Sequence, residues 1–182
     1  QGHFKSKANV SGFEIKRVLI SFKGLIAHVL QSVRRESPVL FWVSMFSLFL
    51  AVGCLPGLVI DDRTLMGINV WLKPLKFSLS TVIYMLTVGY LITLYPYSKT
   101  KKWMINGITA WTLIVELGII VFQGARGVQS HYNMTSQFDG LLFAAMGILI
   151  GINVVIMILF IIDSIRLKLK TEKSIQWAIC IG

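Results

Sequence analysis

Residues 39–60 read VLFWVSMFSLFLAVGCLPGLVI, a run without a single charged residue. A bilayer core about 30 Å thick is crossed by about 20 apolar residues in a helix, so this stretch is long enough to span. Ser37 and Pro38 precede it and supply a capping residue and a first-turn proline. Pro56-Gly57 near its far end is expected to kink or end the helix. The same reading applied outward finds further spans at about 75–95, 103–123 and 140–162, and the start of a fifth near 175.

The rest of the composition agrees. The chain has 182 residues, 55% hydrophobic and only 14% charged, with mean hydropathy +0.72. A soluble domain carries about a quarter charged residues. The expected fold is therefore an all-α polytopic bundle over 38–182. It follows a polar tail at 1–12 and a segment at 13–37 whose apolar and basic residues separate at helical spacing. In that segment Ile15, Val18, Leu19, Phe22, Leu25, Ile26, Val29, Leu30 and Val33 share one face. Lys16, Arg17, Lys23, His28, Arg34 and Arg35 share the other. Such a helix suits the membrane interface, with its basic side toward anionic inner-leaflet lipid. Gln1 at the start and the apolar run Ile175 to Ile181 near the end lead us to expect a piece of a longer protein.

The net charge of +10 can signal nucleic acid. Here the basic residues lie between apolar runs, which points to topology and not to nucleic acid. Most Lys/Arg fall before residue 38, at Lys99, Lys101 and Lys102, and at Arg166, Lys168, Lys170 and Lys173. The alternate loops hold Arg63, Lys73, Lys76 and Arg126. The positive-inside rule then places the N-terminus in the cytoplasm and the segments 61–74 and 124–139 outside. Tyr95, Tyr97 and Trp103 are expected in an inner aromatic belt.

Polar residues inside the spans need partners. Lys73, Lys76, Ser80, Tyr84 and Thr87 form one stripe at helical spacing, and Thr109, Thr112, Glu116 and Gln123 form another. Two stripes on consecutive helices most economically face each other, with Glu116 paired to Lys76. The segment 123–140, QGARGVQSHYNMTSQFDG, adds Arg126, a forked donor for carboxylate or phosphate, and His131, a residue type that can titrate near neutral pH, ligate a metal or simply hydrogen-bond. The candidate ligand site is Lys76, Glu116, Gln123, Arg126 and His131, capped by 61–78 and 123–139 and suited to a small anionic ligand. Gly140, Ala144, Gly147 and Gly151 make a small-residue stripe where another helix is expected to approach. Asn153 is expected to hydrogen-bond between helices. Cys54 and Cys180 have no metal or disulfide spacing.

No nucleotide-binding loop, zinc-protease motif or nucleophile elbow is present. Lys73-Pro74-Leu75-Lys76-Phe77, Gln123-Gly124-Ala125-Arg126-Gly127, Ser130-His131-Tyr132-Asn133 and Phe138-Asp139 together resemble an uncharacterised family of bacterial multi-span membrane proteins. The family pattern has Ala where Gly124 stands and often Phe where Tyr132 stands. The resemblance covers about 70–180 and implies a multi-pass protein of the bacterial inner membrane, longer than this chain. It implies no activity. Three function classes stay open: a transporter, channel-like subunit or sensor; a membrane-embedded redox or metal enzyme, with haem held only if residues beyond this segment take part; and a structural subunit. A homo-oligomer is compatible with each.

Overall fold

The structure, a computed structural model, describes residues 23–167. Its elements are α1 (23–36), α2 (Pro38–Ile60), a hairpin of β1 (Thr64–Leu65) and β2 (Ile68–Asn69), α3 (Leu72–Leu94), α4 (Lys99–Arg126) and α5 (Gln137–Arg166). Helices α2 to α5 are each long and apolar enough to cross a membrane. Residues 1–22, with the first part of the expected amphipathic segment (13–22), and the expected fifth span lie outside the described residues.

The four long helices run up and down. At one end Lys102 Nζ meets Glu36 Oε2 at 3.0 Å, and Lys101 Nζ meets Asp163 Oδ2 at 2.6 Å, which ties the starts of α2 and α4 to the end of α5. The β-hairpin lies at the other end, called the hairpin end below. Helix α4 is the central one. It packs on α2, α3 and α5, and half of its apolar window is buried, against 22% for α2. The outward faces carry large apolar side chains such as Phe49, Val59, Ile83 and Leu141, the inverse of a soluble surface.

Local chemistry sets the helix ends. Ser98 caps α4 by accepting from the Lys101 N–H. Gly127 ends α4 in the left-handed region (φ +70°), with the Val128 N–H bonded back to Gln123 O at 3.1 Å. This is a Schellman closure, which favours glycine because it has no Cβ to clash. Ser136 and Asp139 start α5 reciprocally. The Ser136 Oγ accepts from the Asp139 N–H and donates to Asp139 Oδ2. Asp139 is thus the third residue of that helix and not its cap.

Several expectations are corrected. Ser37 makes no side-chain cap. Helix α1 ends one residue before it, so its backbone bonds Val33 O and Phe41 N–H while its Oγ is buried without a partner. Of the two outcomes expected at Pro56-Gly57, the end does not occur there: helix α2 continues to Ile60, since an imide costs one hydrogen bond and a clash that a helix can absorb. Gly57 is needed for a different reason. A Cβ there would lie 2.6–2.8 Å from three ring atoms of Trp71. Among the described residues no helix packs on the stripe Gly140, Ala144, Gly147 and Gly151: Ala144, Gly147 and Gly151 are exposed and open space faces the glycines. Helix α5 packs instead through Met146, Leu149, Asn153, Ile156 and Phe160, and its Asn153 Nδ2 donates to Thr112 Oγ1 of α4 at 2.8 Å, as expected. Tyr95 belongs to the core and not to a belt. It is 2% exposed, donates to Phe160 O at 2.8 Å and stacks on Tyr97.

Candidate functional site

The hairpin end is built around a strap. Met66 and Gly67 both have positive φ (53° and 78°), which turns β1 back onto β2 in the sense that matches strand twist. Asp61 anchors the strap. Its carboxylate accepts from Arg63 Nη2 at 2.6 Å and from Trp71 Nε1 at 2.8 Å. The Arg63 guanidinium, and then the indole N–H, hold the Asp61 carboxyl well below its usual range. Arg63 Nη1 also donates to Ala125 O at 3.0 Å, which fixes the hairpin to the C-terminus of α4, where a cation is favoured.

Under this strap lies a pocket of about 540 Å³ between the hairpin, the start of α3, the end of α4 and the loop 128–132. The two segments expected to cap a cavity do so. Most of the lining is apolar, including Leu65, Ile68, Val70 and Ile120. Its polar groups include Lys73 and His131, whose Nζ and Nδ1 lie 3.0 Å apart. Among the described residues no carboxylate lines the pocket. The ammonium can only donate, so Nδ1 accepts and the imidazole proton sits on Nε2. Burial, and then the Lys73 charge, push the His131 pKa below its ordinary value and keep the ring neutral at neutral pH. Phe77 and Phe143 flank that ring at centroid distances of 6.0 and 6.4 Å. Tyr132, in the left-handed region (φ 59°), turns the loop so that its ring meets Phe143 at 5.1 Å. The glycine at position 124 also bears on the pocket. A Cβ there would come to 3.0 Å from Pro74 Cγ and 3.3 Å from Val70 O, so the strap sits closer to α4 than an alanine allows.

The five candidate residues divide among four places. His131 lines the pocket. Gln123 and Arg126 lie beside it, engaged with α5: Arg126 Nη1 and Gln123 Nε2 both donate to Asp139 Oδ1, at 2.7 and 3.1 Å, and Arg126 Nη1 also donates to Gln123 Oε1. Glu116 sits deeper, 2% exposed, with Oε2 unpartnered. Lys76 is exposed and lines neither this pocket nor the deeper groove.

The expected Glu116–Lys76 pair is therefore not formed. Helix α3 buries Pro74, Ser78, Thr81, Met85, Val88 and Ile92, a face about 120° around the helix from the polar stripe at 100° per residue. The α4 stripe is turned at least as much toward α5, through Thr112–Asn153 and Gln123–Asp139. Of the α3 stripe, Ser80, Tyr84 and Thr87 share a groove with Glu116, while Lys73 joins His131. The Lys73–His131 meeting spans 58 positions, and nothing local announces it. The available signal was a lysine in the first turn of α3, at the same end as a loop histidine.

Comparison with protein families, curated proteins and solved structures gives no match. The resemblance seen in the sequence gains no support from it, and function has to be argued from the geometry.

Proposed function

We propose that this chain is an integral membrane protein whose hairpin-end pocket takes a small anionic ligand with an apolar portion, in the service of transport or sensing. One observation carries the reading: a cationic Lys73 and a neutral His131 meet at 3.0 Å in a largely apolar pocket that no carboxylate lines among the described residues. An ammonium with donors to spare favours a carboxylate or phosphate, and the apolar walls favour a hydrocarbon portion. Arg126 is held by Asp139 at the rim and adds to the local field without being free to bind. Arg34, Arg35, Lys99, Lys101, Lys102 and Arg166 lie toward the opposite end. That distribution supports placing the opposite end in the cytoplasm, against anionic lipid, with the pocket facing outward.

The test uses octanoate and the chain reconstituted in nanodiscs. Saturable binding is expected, weakened about tenfold or more by Lys73→Met, consistent with loss of a charge-assisted hydrogen bond. Lys76→Met, at the same end but off the pocket, should leave binding unchanged. Equal effects of the two substitutions, or no saturable binding, would overturn the assignment. Uptake into proteoliposomes separates transport from sensing.

A further inference from the structure

A second cavity lies deeper, and the proposed anion pocket does not account for it. Helices α3 and α5 both pack on α4, and between them runs a groove of about 800 Å³ with Leu113 and Glu116 of α4 at its floor. Its rims include Ile83 and Val154, which are 68% and 52% exposed, so in a bilayer the groove opens sideways to acyl chains and not to water.

Its floor and wall carry two buried acceptors without donors. Glu116 Oε2 and Asn153 Oδ1 have no hydrogen-bond partner among the described residues, and both residues are 2% exposed. The Asn153 amide nitrogen is already used, on Thr112 Oγ1 and Leu149 O, so the oxygen faces its surroundings unpaired. Glu116 makes no ion pair among the described residues. Asn153 and Tyr84 each lie within about one turn of the middle of their helices, and Glu116 lies about 15 Å from the Arg126 end of α4, which puts the polar groups well inside the apolar layer. Unsatisfied acceptors there are costly unless a donor arrives. The apolar rims exclude a hydrated cation, and a hydrocarbon tail fits them.

We propose that this groove is a lateral binding site for a neutral, membrane-dissolved amphiphile whose hydroxyl donates to Glu116 Oε2 or Asn153 Oδ1 while its hydrocarbon tail lies between α3 and α5.

The probe is dodecanol carrying a diazirine in its tail, photolysed with the chain in phosphatidylcholine nanodiscs and mapped by mass spectrometry. Labelling should be saturable and confined to the facing sides of α3 and α5. Unlabelled dodecanol should compete about tenfold better than dodecyl methyl ether, which accepts but cannot donate. Glu116→Met and Asn153→Leu should each reduce that preference and the double variant should erase it; where one single variant fails to fold, the other provides the comparison. Val154→Trp, at an exposed position, should block labelling. Lys73→Met should leave labelling unchanged, which keeps this site separate from the anion pocket. Labelling spread over every apolar face, equal competition by alcohol and ether, or survival of labelling in Val154→Trp would overturn the proposal. A disulfide-linked dimer of Val154→Cys with no saturable labelling would assign the groove to a second copy of the chain and overturn it equally.

Discussion

Two glycines four residues apart in α2 should respond to alanine with opposite signs. Glycine inside a helix is less favourable than alanine by about 0.5–1 kcal/mol. At Gly53 nothing lies within 4 Å of an added Cβ, so Gly53→Ala should be neutral or stabilising by up to that amount. At Gly57 the added Cβ would fall 2.6, 2.7 and 2.8 Å from the Cγ, Cδ2 and Cδ1 of Trp71. Ordinary contact begins near 3.4 Å, so the indole must retreat by most of an ångström. A rigid ring tied to Asp61 Oδ2 at 2.8 Å cannot do this without moving the strap. Overpacking of this kind costs about 1–3 kcal/mol, which outweighs the gain in propensity. Gly57→Ala should thus be less stable than Gly53→Ala by about 2 kcal/mol, measured by equilibrium unfolding in mixed micelles. Because Trp71 positions the roof of the pocket, octanoate binding should weaken in Gly57→Ala and not in Gly53→Ala. Trp71→Leu, which removes the clashing ring, should make the second substitution at Gly57 nearly silent. Equal stability of the two single variants would refute the packing assigned to Gly57 and Trp71.

Further outcomes follow from the polar contacts. The folded-state pKa of His131 lies below the ordinary 6.5, so below that pH the unfolded chain binds more protons than the folded one. Stability should fall as pH drops from 6.5 toward the folded value and stay flat above, and His131→Gln should flatten that limb of the unfolding profile. At the rim, Asp139→Asn keeps an acceptor for Gln123 and Arg126 whereas Asp139→Ala orphans both. The melting temperature should therefore fall in the order wild type, Asn, Ala, and equal melting of the two variants would mean that the acceptor at this position is not used.

The spans were legible because an uncharged run such as 39–60 has one physical use, and the structure extends or trims each by only a few residues. The strap was not legible. Its strands are two residues each, too short to show alternation, and Met66-Gly67 is not a turn pair that composition flags. Polar stripes showed which residues seek company but not whose. Gln123 and Thr112 found α5, and Lys76 found no partner among the described residues, because a stripe gives a direction on its own helix and no rotation relative to the next. The small-residue stripe on α5 meets no helix among the described residues for the same reason. Close approach occurs instead where single glycines meet bulky partners, at Gly57 with Trp71 and Gly89 with Val33. The meeting of Lys73 with His131 depends on how the loop 127–136 folds back, a tertiary fact with no sequence period.

The proposed anion pocket is tested most directly at His131 itself, by following its imidazole carbon and nitrogen resonances against pH in nanodiscs, with and without saturating octanoate. An anion bound beside Lys73 stabilises the imidazolium, so the His131 pKa should rise by roughly one unit or more on binding, and octanoate should bind more tightly as pH falls through that interval. A His131 titration that octanoate leaves unmoved while it is bound would contradict the assignment of this pocket.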